Sequence, residues 1–245
     1  GHEYITVVHD LQAKRLLFAC PGRDHTTLEA FGEALRTHAG APEQIEHVCA
    51  DMSAAYTKGV AQSLPKAQIS YDRFHVVALA NAAMDEVRRE EMRESAAAVR
   101  EAVGAHDKKT LRQLLWGMRK DPSSWTSAQL NAMHWLQRST LKSARAWRLK
   151  QALREVYAQA THSNCEHVAR QALTSWMSWA RRSRLEPFKR LAQTLKNHLE
   201  GVVRGMLDGR SNAYVEAMNG LLQQVKTAAR GFRDVTNFIA VAYLR

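Results

Sequence analysis

Two acidic residues in this sequence stand where carboxylates commonly hold divalent cations. Asp51 directly follows a mostly apolar, strand-like run at 45–50 and precedes a helix start, which places it at the carboxyl end of a strand, the edge where α/β sheets bind ligands. Glu216 lies in a predicted helix, off its apolar stripe and beside Asn219 and Gly220. Its carboxylate should therefore face a small, polar surface rather than the core.

Carboxylates so placed suit magnesium-dependent chemistry on phosphodiesters. Mg²⁺ prefers oxygen ligands and completes its octahedron with water and phosphate oxygens. Two such ions about 3.5–4 Å apart activate the attacking oxygen and stabilise the leaving oxygen of an in-line displacement. The pattern alone leaves a simpler interpretation open, in which Asp51 caps the following helix and Glu216 is a solvated helix residue.

The composition favours a folded chain with an acidic partner. Among 245 residues, Lys and Arg number 35 against 24 Asp and Glu, a formal net charge of +11, which predicts a polyanionic partner. No apolar run reaches the roughly 20 residues of a membrane helix, and the first residues do not resemble a leader. Three cysteines without paired spacing suggest neither a disulfide framework nor a zinc knuckle. We therefore expect a cytoplasmic protein that does not span a membrane.

The charge is unevenly distributed along the chain. Residues 1–75 carry a net −2, residues 76–205 a net +11 and residues 206–245 a net +2, and all six tryptophans lie in the middle segment. This predicts three parts: an α/β core at 1–75, a helical insertion at 76–205, and a return to the core at 206–245. Both ends of the chain lack the usual signals of a protein terminus, so we expect a fragment of a longer protein.

Local patterns predict the elements of each part. The first part reads as a hairpin of strands 4–9 and 15–20, a helix from Thr26 or Thr27 to about 38, a strand at 45–50, a short helix and a strand at 67–71. The middle part reads as about five helices, the last with one apolar stripe from Phe188 to Met206. The final helix should end at Gly231.

The sequence resembles one known family along nearly its whole length. The blocks VCADMSAAY at 48–56, YDRFHV at 71–76 and SNAYVEAMNG at 211–220, with shorter matches at 21–23, 65–67 and 229–233, are similar to the transposase domain of the ISL-three family of bacterial insertion sequences. The resemblance implies a DDE transposase with an RNase H-like mixed sheet and a large all-helical insertion before the last catalytic helix. It further implies two Mg²⁺ or Mn²⁺ ions, transposon-end and target DNA as partners, a homo-oligomer on DNA, and a place at the bacterial nucleoid.

The same resemblance assigns roles to particular residues. Asp51 matches the second catalytic aspartate and Glu216 the glutamate, while Asp72 and His75 match a supporting DxxH element, with Asn219 beside the glutamate. A structural role for His75 at a strand-to-helix junction is an equal alternative. The first aspartate should lie on a strand before residue 1, because an RNase H-like core has three antiparallel strands before its first helix and only two are readable. Asp10 would then be an ordinary turn residue.

We therefore expect a domain for metal-dependent DNA strand cleavage and strand transfer that is inactive, or nearly so, as this fragment alone. The alternative is a non-catalytic DNA-binding remnant of a truncated transposase. For DNA contact we predict a stripe along one helix, free of acidic residues: Arg138, Lys142, Arg145, Arg148, Lys150 and Arg154.

Two other groups of residues allow competing interpretations. The tryptophans are expected to pack the core of the insertion, with one of them stacking on a flipped base as the alternative. The cluster His162, Cys165 and His167 is expected to mark a helix–helix connection rather than a zinc site.

Overall fold

The computed structural model describes residues 4–102, 108–208, 213–232 and 234–244. The chain divides into two compact units, one formed by Gly1–Phe74 with Glu200–Arg245 and the other by His75–Leu199. The sequence had placed these boundaries after 75 and after 205. Within the described residues, every helix is too short or too polar to cross a lipid bilayer.

The first unit opens with the predicted hairpin. Strand β1 (Ile5–Asp10) pairs antiparallel with β2 (Arg15–Pro21), with a bulge between Val8 and His9. Asp10 Oδ1 accepts hydrogen bonds from the backbone N–H groups of Gln12 and Ala13, each at 2.9 Å. This is the bonding of an Asx turn, so the turn role of Asp10 is confirmed.

A parallel pair of strands and two helices follow, and together with the hairpin they enclose a hydrophobic core cluster. Strand β3 (His47–Ala50) pairs with β4 (Gln68–Tyr71), residue for residue. In sequence, helix α1 (Thr26–Thr37) lies between the hairpin and β3, and helix α2 (Ala54–Ser63) lies between β3 and β4. Leu28, Phe31, Val60 and Leu64 form the buried cluster, against which Val8, Leu17, Val48 and Ile69 pack. The four described strands pair as two separate two-stranded sheets, so the single mixed sheet implied by the resemblance stays a proposal.

The C-terminal helices cover the other face of the hairpin. Helix α10 (Ala213–Ala228) and helix α11 (Val235–Tyr243) contribute Leu222, Phe238 and Ala242 to a cluster that packs on Ile5 and Leu16. The backbone N–H of Ala19 in β2 also donates to the Tyr243 hydroxyl at 2.9 Å. Helix α10 ends before Gly231, which has a φ of +94°, so the predicted stop is confirmed.

The predicted last helix of the insertion is in fact two helices, and this prediction was wrong. Helix α8 (Glu186–Asn197) ends where His198 leaves helical geometry, and α9 (Leu199–Leu207) follows. Helix α9 lies against β4, because a Cβ on Gly201 would stand 2.5 Å from the Tyr71 ring and one on Gly205 would overlap the Tyr71 carbonyl oxygen. The guanidinium of Arg204 also donates to the carbonyl of Ile69. The Gly-x-x-x-Gly spacing at 201–205 was the sequence signal for this contact.

The described residues of the second unit form helices and their connections, with no strand among them. This unit contains most of α3 (Arg73–Ala102, interrupted at Ser95), then α4 (Lys108–Arg119), α5 (Ser127–Arg138), α6 (Lys142–Ser163), α7 (Glu166–Arg182) and α8. The sequence prediction ran α5 and α6 together and missed the break after Ser139. That break is fixed by tertiary contact: the buried carboxylate of Glu91 accepts hydrogen bonds from the backbone N–H groups of Lys142, at 2.6 Å, and Ser143, at 2.8 Å. These are N–H groups of the first turn of α6, which a helix cannot satisfy internally.

A buried lysine on α6 binds the C-terminal end of α4. Lys150 is 1% exposed, and its ammonium donates to the carbonyl oxygens of Met118, at 2.5 Å, and Arg119, at 3.2 Å. These carbonyls belong to the last turn of α4, where a cation is favourable. Burial, with the nearby charge of Arg154, nevertheless lowers the pKa of Lys150 to about 8.

Adding one methyl group at Gly205 should loosen the first unit. Gly205→Ala places a Cβ into the backbone of β4, and overpacking of this kind costs about 1–3 kcal/mol of the free energy of unfolding. The matched control is Gly220→Ala on α10, where the added Cβ has no neighbour within 4 Å and helix propensity gives up to about 1 kcal/mol of stabilisation. Urea unfolding followed by circular dichroism measures both. Equal midpoints for the two variants would contradict the close packing of α9 on β4.

Lys150 should make the helical unit more stable as the pH rises from about 8 to about 10.5. In that window folded Lys150 has lost its proton while the unfolded chain still binds it, so the free energy of unfolding increases with pH. The free energy of unfolding of the wild type, minus that of Lys150→Met, should therefore be more positive at pH 10 than at pH 7.5. All six tryptophans lie in this unit, so urea unfolding followed by their fluorescence reports on it. Lys196→Met, at an exposed position on α8, is the control, and a difference independent of pH at Lys150 would contradict the assignment.

Candidate active site

Asp51 lies directly after β3, on an exposed connection to α2. Its Oδ1 accepts a hydrogen bond from the backbone N–H of Ser53 at 3.1 Å, and Ser53 is the N-cap residue of α2. The simpler role of ordering the helix start is therefore present. Within the described part of the chain, Oδ2 has no hydrogen-bond partner, so the carboxylate keeps the capacity to bind a ligand.

The parallel pairing of β3 and β4 brings a second carboxylate to the same edge. Ala50 pairs with Tyr71, so Asp51 and Asp72 each follow the last paired residue of neighbouring strands. Asp72 is 3% exposed, and its Oδ1 accepts a hydrogen bond from the backbone N–H of Phe74 at 2.8 Å, in the first turn of α3. Asp72 thus acts as a buried cap that orders the strand-to-helix junction, while Asp51 faces solvent.

Glu216 lies half-buried on the first turns of α10. Of the apolar residues predicted to face inward on this helix, Leu222 is buried, at 4% exposed, whereas Val215, Met218 and Val225 are half-buried. Asn219 is exposed one turn further along, and Asn212, about one turn before Glu216 in the sequence, lies outside the described residues. The start of α10 is docked on the hairpin through Tyr214, whose hydroxyl donates to the carbonyl of Lys14 at 2.6 Å.

Sequence reasoning missed His9, which packs against this helix. The His9 ring lies edge-on to the ring of Tyr214, with 5.5 Å between centroids. Neither ring nitrogen has a hydrogen-bond partner among the described residues, although both are buried, and burial lowers the pKa of His9. The alternation of side chains along β1, with Ile5 facing the α10 cluster, was the available signal. His75, by contrast, lies half-buried in the first turn of α3.

The donor chemistry at these positions suits a hard cation, but the set is incomplete. Asp51 and Glu216 belong to the same unit and offer carboxylate oxygens, the ligands Mg²⁺ prefers. Across the ranges the structure describes, no three His, Cys, Asp or Glu side chains gather closely enough to hold a metal ion.

The six basic residues predicted to form a DNA-contacting stripe do not line one helix. The break after Ser139 places Arg138 on α5, and the other five lie on α6. Lys150 points into the core, and the half-buried Arg154 is paired with Asp121. Arg145 is half-buried and donates to the carbonyl of Ser183 at 3.3 Å. A run of cations without acidic neighbours could not reveal which of them serve internal contacts.

The exposed members of that set gather at the α5–α6 junction. Arg138, Lys142 and Arg148 are exposed, and Arg148 reaches back to the carbonyl of Gln137 at 3.3 Å. Lys142 forms an ion pair with Glu94 at 2.9 Å, an exposed contact of little energetic weight. We call these three the junction cations.

The tryptophans are divided between the core and the surface. Trp147 and Trp176 are buried and Trp125 is half-buried, as the core-packing interpretation predicts. The indole N–H of Trp176 donates to the carbonyl of Leu149, and that of Trp125 to the carbonyl of Gly117, each at 2.8 Å. The other three are exposed: Trp116 by 47%, Trp135 by 55% and Trp179 by 43%. Core packing therefore accounts for only half of them.

The connection between α6 and α7 agrees with its predicted role. Asn164, at a left-handed φ of 45°, and Cys165 join the two helices. His162, Cys165 and His167 are all exposed there. The helix–helix connection is confirmed.

Comparison with known proteins places the chain in a family. A family model described as a transposase, of the DDE type of ISL3 elements, matches residues 1–242. The transposase for insertion sequence element IS1557 of Mycobacterium tuberculosis is 31% identical over 258 residues, which cover 99% of this chain and 56% of that protein. The transposase for insertion sequence element IS1001 of Bordetella parapertussis is 28% identical over 239 residues, covering 97% of this chain and 56% of its own length.

No solved structure matches the chain at a significant level. The chain spans about 56% of the length of the curated relatives it matches. The family match runs through the blocks that contain Asp51, Asp72 and Glu216 and covers both units. The chain belongs to the ISL-three (ISL3) family of insertion-sequence transposases.

Proposed function

We propose that this chain is the catalytic part of a DDE transposase that cuts and joins DNA in the transposition of a bacterial insertion sequence. The observation that carries the proposal is the edge formed by β3 and β4, where the exposed carboxylate of Asp51 follows a strand inside a full-length family match. Glu216 supplies the second carboxylate from α10. The buried Asp72 holds the junction between β4 and α3, and His75 and Asn219 support the site.

The third carboxylate comes, in this proposal, from a strand that precedes residue 1. Strands β1 and β3 each have one paired neighbour among the described strands. A strand lying between them, antiparallel to β1 and parallel to β3, would join the two pairs into one RNase H-like mixed sheet. Two-stranded sheets are marginal by themselves, and parallel pairs normally lie inside larger sheets. An aspartate on that strand would complete the DDE set, and the fragment alone would be inactive or nearly so.

Divalent cations give the proposed site its chemistry. Asp51, Glu216 and the upstream aspartate would hold two Mg²⁺ or Mn²⁺ ions, which would supply activation of the attacking oxygen and stabilisation of the leaving oxygen at phosphorus. The residues of this chain contribute position: the Asp51 carboxylate is fixed by the N–H of Ser53, and Glu216 is fixed because α10 packs on the hairpin. We further propose that the protein acts as a homo-oligomer on transposon ends and target DNA at the nucleoid.

The alternative proposal is a DNA-binding remnant that keeps the fold without the chemistry. The observation that favours it is the incomplete donor set within the described residues. The two proposals are distinguished by the sequence that precedes residue 1 in the longer protein: an aspartate there, at the end of a strand, would favour the catalytic transposase over the non-catalytic remnant.

Replacement of either carboxylate should abolish DNA cleavage by the longer protein. We expect the chain extended by the residues that precede it to cut transposon-end DNA with Mg²⁺. Asp51→Asn or Glu216→Gln should reduce the cleavage rate by at least about 10³-fold, because each removes a ligand of the two metal ions. Strand cleavage on a labelled duplex measures this. Asp10→Asn is the matched control, since Asp10 only orders the β1–β2 turn. Wild-type rates in either site variant would contradict the assigned roles, and loss of cleavage in Asp10→Asn would contradict the position of the first aspartate.

The junction cations should carry duplex DNA binding that is independent of sequence. Replacing Arg138, Lys142 and Arg148 together by Gln removes up to three phosphate contacts, so the slope of log K against log salt should fall in magnitude by up to about 3. Binding should weaken equally for transposon ends and unrelated duplexes. Fluorescence anisotropy at several salt concentrations gives the slope. Lys196→Gln, at an exposed position on α8, is the control. An unchanged slope in the triple variant would contradict DNA binding by the junction cations.

A further inference from the structure

We propose that the outward face of α4 binds an unpaired DNA strand, with Trp116 stacking on a base and Lys109, Arg112 and Lys120 contacting the phosphates on either side. We call this face the α4 ridge. The inference rests on the proposed function for its DNA partner and adds the form of DNA that one surface recognises.

The four side chains of the ridge share one side of the helix. At 100° per residue, positions 109, 112, 116 and 120 fall within an arc of about 80°. Lys120 follows the last residue of α4, but its backbone N–H donates to the carbonyl of Trp116 at 3.0 Å, so the helical course continues through it. Lys109, Arg112 and Trp116 are exposed and Lys120 is half-buried.

The ridge is not the packing side of α4. The buried residues of the helix are Leu114, Gly117 and Met118. A Cβ on Gly117 would stand 2.6 Å from Cγ of Met133, so α4 and α5 meet closely there. The Trp116 indole therefore stays 47% exposed because the helix packs through another side. About half of the Trp116 surface is therefore open to a ligand.

Among the described residues, the cations of the ridge have no acidic partner. Residues 108–120 contain no Asp or Glu, and like charges one turn apart destabilise a helix. In the described part of the chain, Lys109, Arg112 and Lys120 form no ion pair, whereas the neighbouring Arg119 is bound to Asp85 at 2.8 Å. The protein thus neutralises the cation beside the ridge and leaves the ridge itself positive.

Cations that flank an exposed indole are the chemistry of single-strand binding. Unpaired bases stack on aromatic side chains while Lys and Arg track the phosphates, and this stacking tolerates any sequence. Duplex phosphates need only the cations, since paired bases are not free to stack. Strand cleavage and joining create unpaired ends, so such a surface has a ligand in the proposed reaction.

Trp179, an exposed tryptophan on α7, has fewer cations on its side of the helix than Trp116. Ser175 lies one turn before Trp179 and Arg182 one turn after it. Arg182 donates to the hydroxyl of Ser178 at 2.7 Å. Trp179 is 43% exposed, close to the value for Trp116. It is therefore a matched control in residue type, secondary structure and exposure.

The test is binding of labelled oligothymidine and a duplex of equal length to this chain, measured by fluorescence anisotropy. Trp116→Ala should weaken single-strand binding by roughly 5- to 100-fold and duplex binding by less than about twofold, since one stacked base is lost. Trp179→Ala should leave both affinities within about twofold. Arg112→Gln should flatten the single-strand salt dependence by about 0.7 in slope. Circular dichroism confirms that each variant is folded.

Three results would overturn the proposal: no single-strand binding by the wild-type chain, an unchanged single-strand affinity in Trp116→Ala, or equal losses in Trp116→Ala and Trp179→Ala. Retention of most affinity by Trp116→Phe would support stacking. These outcomes are independent of the cleavage assay on Asp51 and Glu216, so failure of the α4 ridge and failure of the proposed function are distinguishable.

Discussion

The contact between helix α9 and strand β4 holds the edge at which the carboxylates lie. Gly201 and Gly205 let the helix backbone approach Tyr71 so closely that no larger side chain fits at either position. Tyr71 in turn pairs with Ala50 and shares a hydrogen bond of 3.1 Å with Thr57 of α2. Because Asp51 and Asp72 are the next residues after this pair, a displacement of β4 would shift both carboxylates. Close packing directly behind this edge therefore positions the proposed site.

The two carboxylates at this edge differ because their environments differ. Asp72 is buried and accepts a backbone hydrogen bond from the start of α3, whereas Asp51 is exposed with one oxygen unused within the described residues. A buried acceptor that orders a helix cannot also turn toward a cation without losing that bond. The exposed Asp51 thus suits the proposed binding role and the buried Asp72 the proposed supporting role, although both residues follow parallel strands at the same register.

Much of the fold could be predicted from local pattern. The hairpin, the turn role of Asp10, the α/β character of the first part and the end of α10 before Gly231 all follow from short-range chemistry. The break between α5 and α6 could not be predicted, because it depends on Glu91, about fifty residues away in sequence. Lys150 was expected to face DNA and instead caps α4, since a cation in a sequence does not show which acceptors the fold brings to it. The same limit hid the exposure of Trp116, which depends on the side through which α4 packs.

The central claim is that Asp51 and Glu216 share one pair of ions, and iron-directed cleavage of the polypeptide tests it most directly. Fe²⁺ in place of Mg²⁺, with peroxide and ascorbate, cuts the backbone only near the bound metal. For the chain extended at its N-terminus, the account predicts cuts both after β3 and at the start of α10. Excess Mg²⁺ should suppress both, and Asp51→Asn should eliminate both. Cuts at only one of the two segments, or cuts at α10 that persist in Asp51→Asn, would contradict a shared site.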